Sequence, residues 1–278
     1  MIKSPDQLKA KVRNISKGNN DIAKSYIRIF FMERFLERVV HSTYKDQFIL
    51  KGGMLAASLL GIDMRSTMDI DTTVKALPLT VEDITRIVNE ICSIDIGDNV
   101  SFEVSSIGSI MDEFEYPGIR IQLIGFLGKM KQPFKIDIST DDEITPSAIE
   151  YDYKLMFEER SIMLYSYNVE TLLAEKLQTV LARNVANTRM RDFFDIYSIC
   201  QQVDYSDSTL RMAFSATCRK RNTVFNLERI HSLIENIKSS SDLSEEWRYF
   251  VKKNYYADSV SWDDIVTYVC SLIEKISI

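Results

Sequence analysis

Apolar side chains recur at near-helical spacing between residues 21 and 41 of the chain. This spacing places them on one side of a helix, because an α-helix completes a turn every 3.6 residues. Charged side chains fill another side of the same segment, namely Glu33, Arg34, Glu37 and Arg38. The pattern therefore predicts an amphipathic helix.

A short apolar run at residues 48–50 precedes two glycines, Gly52 and Gly53. A second apolar segment, residues 54–60, follows them and stops at Gly61. Glycine lacks a Cβ and so favours tight turns, and it commonly ends helices. This stretch is therefore predicted to form a strand, a tight turn and a helix.

Residues 68–74 alternate in the manner of a strand, with Ile70 and Thr72 on one face and Asp69 and Asp71 on the other. A helix is predicted at residues 81–94. Turn residues separate further predicted strands at residues 101–107, 118–126, 134–139 and 162–164. The first half of the chain thus mixes helices and strands.

The pattern becomes helical after Tyr167. Helices are predicted at residues 169–183, 190–201, 208–218, 227–237, 244–254 and 262–276. We therefore predict an α+β protein in which a mixed sheet with flanking helices precedes a helical bundle. The expected domains are residues 1–160, with the N-terminal helix and the sheet, and the mainly helical residues 161–278.

Composition narrows the function classes. The 278 residues are 45% hydrophobic and can bury a core, while a formal net charge of −6 makes a surface-wide coat of nucleic acid unfavourable. Local contacts remain open, because basic residues cluster in two stretches of the second half. These are Arg183, Arg189 and Arg191, then Arg211, Arg219, Lys220 and Arg221. A solvated helix face accounts for such clusters equally well.

The sequence also limits the metals that the chain is expected to bind and its expected location. The four cysteines form no CxxC pair, and the only histidines are His41 and His231, which leaves a zinc site short of ligands. Any metal is therefore expected to be bound by oxygen. Residues 1–21 lack the apolar core of a signal peptide, and no run of about 18 apolar residues occurs. We expect a cytoplasmic protein without membrane partners.

Asp69 and Asp71 are the first candidate metal ligands. One residue separates them, so both carboxylates leave the same face of the predicted strand, with Cα atoms about 6.6 Å apart. Two carboxylates in this position repel each other unless a cation is present. Mg²⁺ prefers oxygen ligands and is usually held by few carboxylates together with water and phosphate oxygens. An ordinary exposed strand face is the alternative.

Asp137 adds a third carboxylate on another predicted strand, where Ile136 and Ile138 point to the core and Asp137 points away. Two-metal nucleotidyl transfer needs cations about 3.5–4 Å apart, and acids on neighbouring strands can hold them. Asp69, Asp71 and Asp137 are therefore predicted to be both catalytic and metal-binding, with Mg²⁺ as the expected ion and Mn²⁺ as an alternative.

Candidate nucleotide-binding residues lie close to these acids. Gly52 and Gly53 form a Cβ-free turn before a helix, where backbone N–H groups can approach triphosphate oxygens. Arg65 and Ser66 precede the acidic strand and offer a cation and a hydroxyl. A plain structural turn and a solvated arginine are the alternatives.

The order of these motifs resembles the minimal nucleotidyltransferase pattern of the DNA polymerase β-like superfamily. It consists of Lys51-Gly52-Gly53, then residues 65–71, then residues 135–138. A later combination, residues 174–177 with Arg183 and residues 191–197, resembles the AbiEii-type nucleotidyltransferase toxins. The resemblance covers residues 51–197 and implies a polymerase β-like sheet and a helical domain that closes the substrate cleft.

The second motif, within residues 174–197, also has a spacing that places its charged residues on helix faces. Lys176 and Arg183 are seven residues apart on one predicted helix and so share a face, where their charges could converge on phosphates. By resemblance, Lys176 acts toward the nucleotide phosphates and Asp192 is a supporting or proton-handling acid. Asp192 could orient Lys176 or Arg183, while Asp195 steadies helix packing. An interhelical salt bridge without function is the alternative.

The resemblance implies a toxin of a type IV toxin–antitoxin or abortive phage infection system with a cognate antitoxin. The expected reaction transfers nucleotides from a nucleoside triphosphate (NTP) to an RNA acceptor, with tRNA as the expected acceptor, and releases pyrophosphate. Two other functions stay open. The same site could modify a protein or a small molecule, or the chain could be a non-catalytic nucleotide-binding module.

Overall fold

The computed structural model describes residues 1–61, 67–77, 80–110, 118–140 and 142–277. The strands in these residues are β1 (Phe48–Lys51), β2 (Asp69–Val74), β3 (Val100–Ile110), β4 (Gly118–Leu127), β5 (Met130–Thr140), β6 (Ile149–Lys154) and β7 (Ser161–Ser166). The helices are α1 (Pro5–Ser16), α2 (Asn20–His41), α3 (Gly52–Leu60), α4 (Val81–Cys92), α5 (Val169–Arg183), α6 (Met190–Gln202), α7 (Asp207–Lys220), α8 (Leu227–Ser239), α9 (Ser241–Lys253) and α10 (Trp262–Ser277).

The described strands form one mixed sheet with the order β3-β4-β5-β2-β1-β7-β6. Strand β2 runs parallel to β5 and antiparallel to β1, and β1 runs parallel to β7. Helices α2 and α3 pack against this sheet, and α3 also contacts α6. The C-terminal helices pack on one another, with α10 against α6, α7 and α8. The predicted α+β class, a mixed sheet with helices after it, is confirmed.

Helix α2 confirms the helix predicted at residues 21–41, and its charged side also lies inside the protein. Glu33, Arg34, Glu37 and Arg38 are each only 1–2% exposed. Arg38 donates two hydrogen bonds to the Asp98 carboxylate, at 3.0 and 2.9 Å, and Arg34 pairs with Glu37 at 2.9 Å. Buried charges are tolerated when they are paired in this way. The helix is therefore buried on its apolar side and on much of its charged side.

Two elements were not predicted. Helix α1 begins with a Ser4 side chain that accepts the N–H of Gln7 and with Pro5 in the first turn, both common helix-start signals. Strand β6 lies at the edge of the sheet and pairs with β7. Its six residues alternate strictly between hydrophobic and polar side chains, and Tyr153 is buried. The alternation typical of a strand is therefore present in this segment, although no strand was predicted there.

The predicted domain boundary falls inside the sheet region. Strand β7 follows residue 160 and pairs with β1 and β6. Helix α5 starts just after it, where the Asn168 side chain accepts the N–H of Thr171 at 2.8 Å and caps the helix. We propose that the boundary lies between β7 and α5, with the division otherwise as predicted.

Candidate active site

A row of four charged residues crosses the centre of the sheet. The pairing register places them directly opposite one another on β1, β2, β5 and β4, in the order Lys51, Asp71, Asp137 and Arg120. Residues that oppose each other on paired strands project from the same face. Two aspartates are therefore flanked by a cation on either side.

Asp71 is held by the turn that starts α3. Its Oδ2 accepts the backbone N–H of Gly53 at 2.7 Å. Gly52 has a φ of +57°, and a Cβ on it would overlap the Asp71 carboxylate. Glycine is therefore required here both for its backbone conformation and for the space it leaves. In the structure, the Gly53 amide positions Asp71 by donating to its carboxylate.

The acids lie in an electrostatically unfavourable environment. Burial raises the pKa of Asp71 to about 6, and the charges of Asp137 and Asp69 act in the same direction, against the Gly53 hydrogen bond and Lys51. Burial followed by the charge of Asp137 also raises the pKa of Asp69. Carboxylates with raised pKa values gain most from a nearby cation.

Asp137 is engaged by Arg120. Arg120 Nε lies 2.8 Å from Asp137 Oδ1, and Arg120 Nη2 lies 2.6 Å from Oδ2. Within the described residues, no group of three His, Cys, Asp or Glu side chains is arranged to hold a metal ion. Asp69, Asp71 and Asp137 nevertheless fit Mg²⁺ chemically, because they offer hard oxygen ligands from one face of two adjacent strands.

Lys51 belongs to a second network at the edge of the site. Asp142 accepts hydrogen bonds from Lys51 Nζ, from Ser139 Oγ at 2.7 Å and from Tyr167 Oη at 2.7 Å. Burial alone would raise the pKa of Asp142, but Lys51 and the hydrogen bonds outweigh it and lower the pKa. This network fixes the start of α3 against the end of β5.

The helical domain contributes a buried ion cluster. Lys176 Nζ lies 2.8 Å from Asp192 Oδ1 and 2.7 Å from Asp195 Oδ2. Arg189 Nε lies 2.8 Å from the other oxygen of Asp192. Burial would raise the pKa of Asp192, but Lys176 and Arg189 outweigh it and lower the pKa. The interhelical salt bridge is therefore present, and Asp195 contacts Lys176 in addition to its expected packing role.

Both parts of the chain line one cavity of about 550 Å³. From the sheet it is lined by residues that include Lys51, Gly52, Gly53, Asp69, Asp71, Arg120 and Asp137, and from the helices by residues that include Glu175, Lys176, Arg189, Arg191, Asp192 and Arg221. Arg221 reaches Gln178 Oε1 at 2.7 Å and Glu175 Oε1 at 3.5 Å. An acidic group and a basic group of side chains thus share one cavity.

Most of the predicted site residues meet there. Those that line the cavity are Gly52, Gly53, Asp69, Asp71, Asp137, Lys176 and Asp192. Arg183 lies in the last turn of α5, and it is not among the described residues that line the cavity. Arg65 and Ser66 lie outside the described residues. Their predicted roles in nucleotide binding remain predictions.

Arg120 and Arg221 were not predicted as site residues. Arg120 interrupts an apolar run between Ile119 and Ile121, which marks it as a residue on the opposite strand face. The sequence does not say that β4 pairs with β5, so this signal could not be assigned to the site. Arg221 belongs to the basic cluster that was interpreted either as a local nucleic-acid contact or as a solvated helix face, and its side chain is only 13% exposed.

No helix in the described residues is both long and apolar enough to cross a membrane. The structure resembles that of JHP933 from Helicobacter pylori, with a TM-score of 0.50 and 14% identity over 91% of each chain. At this identity the likeness concerns the fold. An antigenic nucleotidyltransferase-like protein from Paracoccidioides brasiliensis aligns with a TM-score of 0.40 and 16% identity, over 85% of this chain and 94% of its own.

No curated protein matches the chain. The family model described as "Nucleotidyl transferase AbiEii toxin, Type IV TA system" matches residues 34–268. The match includes every described strand of the sheet and the cavity-lining helices α3, α5, α6 and α9. The chain therefore belongs to the AbiEii nucleotidyltransferase toxins of type IV toxin–antitoxin systems.

Proposed function

We propose that this toxin transfers a nucleotide from an NTP to an RNA acceptor, with tRNA as the expected acceptor, in a Mg²⁺-dependent reaction. The observation that carries the proposal is the shared cavity, in which Asp69, Asp71 and Asp137 of the sheet meet the basic residues of the helices. Carboxylates suit a hard cation, and arginines suit phosphate oxygens.

The sheet provides the metal-binding part of the proposed site. Asp69, Asp71 and Asp137 would hold Mg²⁺, and Mn²⁺ can take the same oxygen ligands. The bound ions would activate the attacking hydroxyl and neutralise charge on the triphosphate and the leaving pyrophosphate. Gly53 keeps the Asp71 carboxylate in place through its N–H. Gly52 leaves room for that carboxylate.

The helices provide the phosphate-binding part. Lys176 is held by Asp192 and Asp195 and lines the cavity, so its ammonium is fixed in place beside the substrate. Arg189 adds an exposed guanidinium at the same wall, with a side chain that is 42% exposed. A fixed lysine and an arginine together favour the charge of a triphosphate.

An RNA acceptor agrees with the charge distribution around the cavity. The net charge of −6 requires RNA contacts to be local. Arg189 and Arg191 line the cavity, and Arg219 lies exposed two residues before the cavity-lining Arg221. RNA drawn to these side chains would present its end to the nucleotide. A cognate antitoxin, which type IV systems pair with the toxin, would then be needed to limit the damage.

The proposal is tested by incubating the purified protein with total RNA, Mg²⁺ and each of four α-labelled NTPs separately. We expect label in the tRNA band with one preferred nucleotide, and loss of the label with Asp69→Ala. Asp152→Ala is the matched control, because Asp152 is an exposed aspartate on the edge strand β6 of the same sheet. It is expected to label tRNA as the wild type does.

Other outcomes point to the other functions. Label found only on a protein or a small molecule would support the proposed nucleotidyltransferase site and exclude RNA as the acceptor. Tight NTP binding without transfer to any acceptor would favour a nucleotide-binding module. Labelling by the Asp69→Ala variant equal to that by the wild type would contradict the proposed metal site.

A further inference from the structure

Arg120 binds Asp137 at two points. The pair has N–O distances of 2.8 and 2.6 Å, so each carboxylate oxygen accepts one guanidinium hydrogen bond. Such a fork uses both oxygens of the carboxylate in its plane. A metal ion ligated by Asp137 needs at least one of the same oxygens.

The charge of Arg120 acts on all three acids of the site. Its pKa is raised first by the hydrogen bond with Asp137 and also by the charges of Asp69 and Asp71. At the other end of the charged row, the Lys51 ammonium donates to Asp142. Of the two cations in this row, Arg120 is therefore the one that forms a hydrogen-bonded ion pair with an aspartate of the row, Asp137.

The pair is accessible enough to exchange. The side chain of Arg120 is 41% exposed, and that of Asp137 is 21% exposed. Ion pairs near water are weak, because water screens the attraction and solvates the separated groups. A divalent cation carries twice the charge of a guanidinium, so it can compete with Arg120 for the Asp137 carboxylate.

We propose that Arg120 competes with the divalent cation for Asp137 and, once displaced, binds the polyphosphate of the nucleotide in the same cavity. The inference rests on the metal site of the proposed function. In the absence of a cation, Arg120 would limit the repulsion between Asp137 and Asp71, which lie opposite each other. Arg120 is therefore a positioning residue for Asp137, and metal binding is coupled to phosphate binding.

The first test measures Mn²⁺ binding by electron paramagnetic resonance, without nucleotide, on the full chain. Arg120→Gln is expected to bind Mn²⁺ about 3- to 10-fold more tightly than the wild type, because the competitor is gone. Arg120→Lys should fall between them, since lysine keeps the charge and loses the fork. Lys135→Gln is the charge-matched control, because the exposed Lys135 lies opposite Asp69; a smaller change is expected there.

The outcomes separate the inference from the proposed function. Mn²⁺ binding by Arg120→Gln that equals or falls below that of the wild type would overturn the competition and leave the metal site standing. An increase in Mn²⁺ affinity no larger than that of Lys135→Gln would also overturn the competition, because the loss of any nearby positive charge would then explain the increase. Absence of Mn²⁺ binding in the wild type and every variant would remove the metal site and the competition together.

Thermal unfolding gives a readout that a merely structural ion pair would not produce. In EDTA, Arg120→Gln is expected to lower Tm, because Asp137 loses its paired guanidinium. At saturating Mn²⁺ the difference should disappear. An equal loss of Tm under both conditions would overturn the proposal.

The phosphate-binding step has its own test. At saturating Mn²⁺, tripolyphosphate should bind to Arg120→Gln about threefold or more weakly than to the wild type. Unchanged binding would exclude the phosphate-binding step.

Discussion

The carboxylate of Asp71 occupies the space where a Cβ of Gly52 would stand. The backbone of Gly52 is also left-handed, with a φ of +57°, so two independent features require glycine at this position. The next residue, Gly53, donates its N–H to the same carboxylate. The first turn of α3 and the acid on β2 therefore form one unit.

Gly52→Ala is expected to displace Asp71 and abolish nucleotide transfer, with a stability loss of about 1–3 kcal/mol from strain and overlap. Gly97→Ala is the matched control, because Gly97 has a φ of +71° and no atom within 4 Å of the added Cβ. It should cost about 1 kcal/mol and leave transfer intact. Chemical denaturation and the labelling assay measure both effects, and equal activity of the two variants would contradict the role of the turn.

Glu33 predicts a dependence of stability on pH. Burial raises its pKa from 4.5 to about 8, while hydrogen bonds from Met156 N–H and Tyr153 act against burial. Between pH 4.5 and about 8, the Glu33 carboxyl loses its proton in the unfolded chain and keeps it in the folded protein. The free energy of unfolding therefore falls as pH rises through this range. The slope is at most about 1.4 kcal/mol per pH unit.

Glu33→Gln should remove this dependence, because the amide oxygen can accept the same hydrogen bonds and cannot ionise. Its Tm is expected to fall less than that of the wild type between pH 5 and 8. Glu159→Gln, at an exposed position, serves as the control and should follow the wild type. Parallel Tm curves for Glu33→Gln and the wild type would contradict the prediction.

Removal of Lys176 should destabilise the helical domain. Lys176→Met leaves Asp192 and Asp195 buried without their shared cation, which costs about 3–5 kcal/mol. Lys238→Met breaks an exposed pair with Glu235 and should cost about 0–1 kcal/mol. Urea unfolding of both variants measures the difference. A loss below 1 kcal/mol for Lys176→Met would show that the buried cluster adds little to stability.

Neighbouring arginines at the end of α7 should have different effects. Arg219 is exposed, so Arg219→Gln is expected to weaken RNA binding and reduce its salt dependence. Arg221 points into the cavity toward Gln178 and Glu175, so Arg221→Gln should weaken NTP binding more than RNA binding. Arg13→Gln, on the exposed side of α1, is the control for charge. Unchanged RNA affinity over a salt titration would exclude Arg219 as an RNA contact.

The sequence predicted the local elements well, because their signals are local. Alternation placed Asp69 and Asp71 on one face of β2, and helical spacing predicted α5 and α6 close to their observed bounds. The same reasoning predicted α2, but it did not show that the charged side of this helix is buried. Partners such as Asp98 lie 60 residues away along the chain, where periodicity carries no information.

By itself, the sequence determined the α+β class, the acidic residues of β2 and β5 and the family resemblance. It left open whether Asp192 pairs with Lys176 or with Arg183, and the structure shows the pair with Lys176. Only the tertiary structure decided which strands are neighbours, and so placed Lys51 and Arg120 at the ends of the charged row. The physical reason is that side-chain direction follows from the backbone of a single strand. Strand order depends on the packing of the whole sheet.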